Sequence, residues 1–75
     1  MKQDVLDILN EIRPDIDFEE ATALIDDGML DSLDIVAAVS EFNEEFDVDI
    51  SVDDLLPENF NSVDAMVELI ESMQG

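Results

Sequence analysis

The chain has no cysteine, histidine, tryptophan or tyrosine, and its 75 residues include only two bases, two glycines and two prolines. Without cysteine there is no disulfide, no thiolate metal site and no nucleophilic thiol, and without histidine the usual metal ligand and general base is missing. The chain itself therefore offers little catalytic chemistry, and an enzyme is not expected. Lys2 and Arg13 are its only bases, so nucleic acid and anionic membrane surfaces would repel it. No stretch of about 18 apolar residues is present to span a bilayer. The N-terminus lacks the basic-then-apolar order of a signal peptide, and a soluble, cytoplasmic protein without membrane insertion is expected. No Pro/Gly/Ser linker, repeat or low-complexity tract divides the sequence, which reads as a single domain over residues 1–75.

What the chain does have is acid: 22 aspartates and glutamates, for a formal net charge of −20. High acidity with few aromatics is also a mark of disorder, but the 47% hydrophobic content is arranged with helical periodicity. The charge reads as a field on a folded surface, one that attracts basic partners and speeds encounter with them. The acids from Asp26 to Asp54 have no base among them, so self-repulsion is expected to make stability depend on salt.

Val5, Ile8, Leu9 and Ile12 fall at i, i+3, i+4, i+7 and predict a first helix of about three turns, ending before Pro14. A long connection runs from Pro14 to Asp31, anchored by Ile16, Phe18, Leu24 and Ile25, with a short helical turn expected around Glu19 to Leu24. A second helix is predicted from Ser32 to Phe46, with Ile35, Val39, Phe42 and Phe46 as its core stripe. Val48, Ile50 and Val52 alternate with acids over too short a run to build a sheet and read as an extended loop. Asp53 to Leu56 predicts a short helix stopped at Pro57, and Asn61 or Ser62 caps a last helix striped by Val63, Met66, Val67, Ile70 and Met73. The fold class is all-α: a small bundle of three main helices and one short one.

The stretch Asp26-Asp27-Gly28-Met29-Leu30-Asp31-Ser32-Leu33-Asp34 carries the strongest functional signal. Gly28 supplies a turn that delivers Ser32 to the first turn of the second helix, where a hydroxyl can face solvent. On spacing alone Ser32 or Asp31 is a helix cap, with Asp34 three residues on completing a capping box. On the face roughly opposite the core stripe, Leu33, Val36, Ala37, Ser40 and Glu44 lead away from Ser32, edged by Asp34, Glu41 and Glu45. An apolar patch rimmed by acids suits protein docking; the alternative is that Leu33 and Val36 lie buried under the long loop.

The Gly28-Met29-Leu30-Asp31-Ser32-Leu33 run, the Glu44-Glu45-Phe46-Asp47-Val48-Asp49-Ile50 helix exit and the later Phe60-Asn61-Ser62-Val63 segment resemble the acyl carrier protein family over nearly the whole chain. The resemblance implies that Ser32 receives 4′-phosphopantetheine from coenzyme A through a separate, magnesium-dependent phosphopantetheinyl transferase of the holo-acyl-carrier-protein synthase type. It implies that Asp31 helps that transferase assemble its metal-bound complex. The recognition face would comprise Asp31, Leu33, Asp34, Val36, Ala37, Ser40, Glu41 and Glu45, presented by a monomer to acyl- or aminoacyl-loading enzymes with basic docking patches. A thioester carrier without cysteine must borrow its thiol on such an arm. Fatty-acid or related biosynthesis is the first expectation. Ala37 and Ser40 stand where a fatty-acid carrier usually has Glu and Met, and the Ile50–Phe60 connection is slightly longer. A dedicated aminoacyl carrier, as in D-alanylation of teichoic acid or a peptide or polyketide assembly line, is therefore the alternative within the family. Outside the family the alternative is an unmodified acidic helical adaptor.

Asp47, Asp49, Ser51, Asp53 and Glu58 match the ligand spacing of a calcium loop, but Val52 stands where that loop needs glycine, so no specific metal site is expected.

Overall fold

The computed structural model describes residues 1–74, the side chain of Val52 excepted, and among them there are four α-helices and no strand. Helix α1, Lys2–Ile12, buries Val5, Leu6, Ile8 and Leu9; Leu6 widens the predicted stripe, and Ile12 at its end is only half-buried. The Arg13 N–H closes the final turn on the Leu9 carbonyl at 2.9 Å. Pro14 then disfavours helical geometry at Arg13, whose ψ of 82° sends the chain away extended.

The long connection is pinned by buried Ile16, Phe18, Leu24 and Leu30, while Ile25 is only half-buried. The helical turn expected at Glu19–Leu24 is replaced by two separate turns. Ala21 N–H reaches the Asp17 carbonyl at 3.2 Å, and Asp27 N–H reaches that of Ala23 at 2.7 Å.

Helix α2 runs Ser32–Phe46, as the periodicity predicts, but its most buried line is Ala38 and Phe42; Ile35, Val39 and Phe46 flank it half-buried. Ala38 is almost fully buried, so a centre of packing falls on a residue with little hydrophobic weight of its own. At its end, Asp47 adopts a left-handed conformation, φ 53°, and the Asn43 side chain accepts from Ile50 N–H at 2.9 Å. That bond turns buried Ile50 back onto the core.

The short helix lies later than predicted. Val52–Asp54 forms a single 3₁₀ turn, and α3 is Pro57–Phe60. Pro57 starts this helix instead of stopping one, because its missing N–H is no loss in the first turn and its φ is preset for helix. Ser62 caps the last helix, α4 (Val63–Gln74), accepting from Ala65 N–H at 3.1 Å. Val63, Met66 and Ile70 face the core from α4. Helix α1 packs against both α2 and α4, and α3 packs against α4. The result leaves one long side of α2 uncovered, beginning at its N-terminus.

Candidate functional site

The turn before α2 is built by backbone geometry. Met29 N–H bonds the Leu24 carbonyl at 2.9 Å and Gly28 N–H bonds that of Ile25 at 3.0 Å, around a left-handed Gly28 at φ 71°. This is the bond pattern of a Schellman turn, which favours glycine at the left-handed position. Leu30 is buried immediately afterwards and anchors the chain one residue before the helix cap.

Asp31 is the N-cap. Its Oδ1 accepts from Asp34 N–H at 2.9 Å, while Asp34 Oδ2 accepts from Asp31 N–H at 3.3 Å, completing a reciprocal capping box. The cap reading of this segment thus belongs to Asp31, and Ser32 is released from it. Ser32 occupies the first helical position and is exposed, and its hydroxyl makes no hydrogen bond among the described residues. The backbone N–H groups of Ser32 and Leu33 also lack partners there. An uncommitted hydroxyl beside free N–H groups at the positive end of a helix dipole suits a phosphate ester at that atom.

Of the other predicted site residues, Leu33 and Val36 are 78% and 57% exposed, which rules out burial under the long loop. Ala37, Ser40, Glu41, Glu44 and Glu45 are exposed with them. Asp31 is exposed, and one oxygen of its carboxylate is free of protein hydrogen bonds among the described residues.

Asp34 departs from the expectation. Instead of edging the docking face, its side chain is only 16% exposed and its Oδ2 accepts from Arg13 Nη1 at 2.7 Å. The capping box points the carboxylate back toward the helix start, where the end of α1 supplies the cation. Arg13 also bonds Asp15 through Nε and Nη2, each at 3.1 Å. The Asp15 and then the Asp34 hydrogen bonds push the guanidinium still further above its already high range. Asp15 is held below the ordinary carboxylate range, first by Arg13 and then by a hydrogen bond to its own backbone.

Sequence reasoning missed two contributors. Arg13 had no signal beyond being one of two bases. Asn61, expected as a possible cap, instead accepts from Ile25 and Asp26 N–H through Oδ1 at 3.0 and 3.1 Å, tying the α3–α4 corner to the turn that leads to Ser32. Among the described residues no group of three or more acids is placed to hold a metal ion. No helix among them is long and apolar enough to cross a membrane.

Comparison with known proteins matches residues 2–70 to the family described as phosphopantetheine attachment site. The D-alanyl carrier protein of Lactobacillus acidophilus is 31% identical over 75 residues, covering 99% of this chain and 95% of its own length. Those of Lactobacillus helveticus and Bacillus cereus are 30% and 31% identical, covering 99% and 97% of this chain and 95% of their own lengths. No solved structure gives a significant match. The chain belongs to the phosphopantetheine-attachment family of acyl carrier proteins: it is a carrier protein domain, and its prosthetic group is covalent 4′-phosphopantetheine.

Proposed function

We propose that Ser32 is the attachment residue and that the chain carries an amino acid, D-alanine or a close analogue, as a thioester on the arm. The observation that carries the assignment is the exposed, unpartnered Ser32 hydroxyl at the first position of α2, one residue after a cap that does not need it. When bound, the group supplies the thiol this cysteine-free chain lacks, on a flexible tether that raises effective concentration at a partner's active site. The chain's residues bind and orient; catalysis belongs to the partners.

The cargo reading follows from the relatives named D-alanyl carrier protein. It favours the aminoacyl alternative over fatty-acid biosynthesis, in agreement with Ala37 and Ser40 on the α2 face. Asp31 would assist the transferase's metal, a role supported by the carboxylate oxygen it keeps free of protein hydrogen bonds among the described residues. Leu33, Val36, Ala37, Ser40, Glu41 and Glu45 form the docking face of a monomeric, cytoplasmic, single-domain carrier. Its partners are a phosphopantetheinyl transferase and an amino-acid-activating ligase, each with a basic patch.

Intact-mass spectrometry after incubation with coenzyme A and a broad-specificity phosphopantetheinyl transferase tests the first claim. Wild type should gain one phosphopantetheine arm and Ser32→Ala none. Retention of the gain in Ser32→Ala would move the site, and no gain in wild type would favour the unmodified adaptor. Offered D-alanine with its ligase and ATP in one arm, and a fatty acid with an acyl-carrier ligase in another, the holo form should load the amino acid. Preferential fatty-acyl loading would overturn the cargo reading.

A further inference from the structure

One side chain, Arg13, ties the Ser32 turn to the end of α1. Arg13 Nη1 donates to Asp34 Oδ2 at 2.7 Å and to the Met29 carbonyl at 3.3 Å, while Nε and Nη2 grip Asp15. A single guanidinium thus joins the end of α1 to a residue three before Ser32 and a residue two after it. Four of its five N–H groups are engaged, so it is committed to the fold and has little left for an incoming phosphate.

Resting on the reading of Ser32 as the attachment residue, we infer that Arg13 is a positioning residue for phosphopantetheine transfer, locking the turn that presents Ser32 by holding the Asp34 carboxylate in the capping box. The oxygen that Arg13 grips is the same Oδ2 that closes the box onto Asp31 N–H. Without the guanidinium, Asp31 and Asp34 are two like charges in one helical turn, and Asp34 gains by swinging into water. Exposed ion pairs contribute little, but Asp34 is the most sheltered acid in any ion pair of the described residues, at 16% exposed against 60% or more for the others. The planar fork spans two carboxylates and a carbonyl, a geometry that a lysine ammonium cannot reproduce.

A transferase that needs the locked turn meets fewer competent molecules when the lock is lost, and its apparent affinity falls by that fraction. At saturation the complex itself orders the turn, so the defect belongs in KM and not in kcat. Transfer from coenzyme A by a phosphopantetheinyl transferase is therefore measured for wild type, Arg13→Gln, Arg13→Lys, Asp34→Ala and the Arg13→Gln/Asp34→Ala double variant. A salt concentration of about 0.3 M keeps the newly bared charge from masking the defect by attracting the enzyme.

Arg13→Gln should raise KM for the carrier about fivefold with kcat within about twofold, and Arg13→Lys should not restore it. In the Asp34→Ala background, Arg13→Gln should add less than about a twofold effect, because both act on one contact. A KM unchanged in both Arg13 variants, full rescue by lysine, or independent effects in the double variant would overturn the inference. If Arg13→Gln fails to fold, Arg13→Lys carries the same test. Absence of any arm on wild-type Ser32 would instead overturn the attachment reading beneath it.

Discussion

Replacing Asn61 by alanine should loosen the turn that delivers Ser32 without touching the apolar core. Asn61 Oδ1 accepts from two backbone N–H groups more than thirty residues away, Ile25 at 3.0 Å and Asp26 at 3.1 Å, and Nδ2 donates to Asp26 Oδ2 at 3.2 Å. Its own backbone carbonyl accepts from Leu24 N–H at 2.8 Å, a bond that alanine retains. The Ile25 N–H is partly buried, so leaving it unpaired costs about 1.5 kcal/mol, whereas the exposed Asp26 N–H finds water at a cost of about 0.5 kcal/mol. The sum of about 2 kcal/mol corresponds to a fall in Tm of roughly 10 °C for a domain of this size. Thermal melts followed by circular dichroism measure that fall, and amide hydrogen exchange should show lost protection at Ile25. Asn61→Asp separates the causes. It keeps the acceptor but sets a carboxylate against Asp26, so its deficit should shrink with added salt, while that of Asn61→Ala should not. A Tm shift below about 2 °C in Asn61→Ala would refute the reasoning and leave buried Leu24, Phe18 and Ile16 as sufficient anchors for the loop.

Gly28→Ala should cost about 1 kcal/mol through left-handed strain alone, because a Cβ there meets no atom within 4 Å. A melt that does not fall would remove the conformational reason for glycine. Asp15 is held low by Arg13, so its contribution is present above the unfolded carboxylate range and lost as pH falls through the folded value. The Tm gap between wild type and Asp15→Asn should therefore be constant near neutrality and close below about pH 4; a gap that widens in acid contradicts the assignment. With 22 acids and two bases, Tm should rise with sodium chloride. Magnesium and calcium should act alike at matched ionic strength, and a strong preference for calcium would point to a built site.

The limits of α2 were legible because two independent signals coincide at Ser32: a capping pair at Asp31 and Asp34, and the start of a 3.6-residue apolar period. The same period set Leu33 and Val36 opposite the core stripe but left open their burial under the long loop, since where that loop packs is fixed only by the tertiary fold, which leaves both exposed. The centre of packing did not follow, because Ala38 carries too little hydrophobic weight for periodicity to choose it over Val39. Pro57 stops a helix that would run into it, but its chemistry serves equally well to start one. Asn61 and Arg13 act across 35 and 21 residues of sequence, and no local pattern records a partner that the tertiary fold alone brings close. Asp34 shows the same limit from the other side: on a helical wheel it belongs to the edge of the proposed docking face, but a cation from the end of α1 turns it inward.

Both bases are spent within the fold. Lys2 pairs with Asp64 at 3.0 Å, and Arg13 is shared between Asp15 and Asp34. Among the described residues, Glu41, Glu44 and Glu45 form no ion pair, so the exposed side of α2 keeps its negative field uncompensated. The apolar part of that side is small, essentially Leu33, Val36 and Ala37. On the proposed docking role of this side, its long-range field raises the rate at which basic partners arrive, while a small apolar contact leaves them free to depart, since affinity among related complexes is set mainly by the off-rate. A carrier visited in turn by the enzymes that modify, load and unload it needs that combination. Pairing the α2 acids with lysines would slow arrival, enlarging the apolar patch would slow release, and either change would impair a shuttle whose core was untouched.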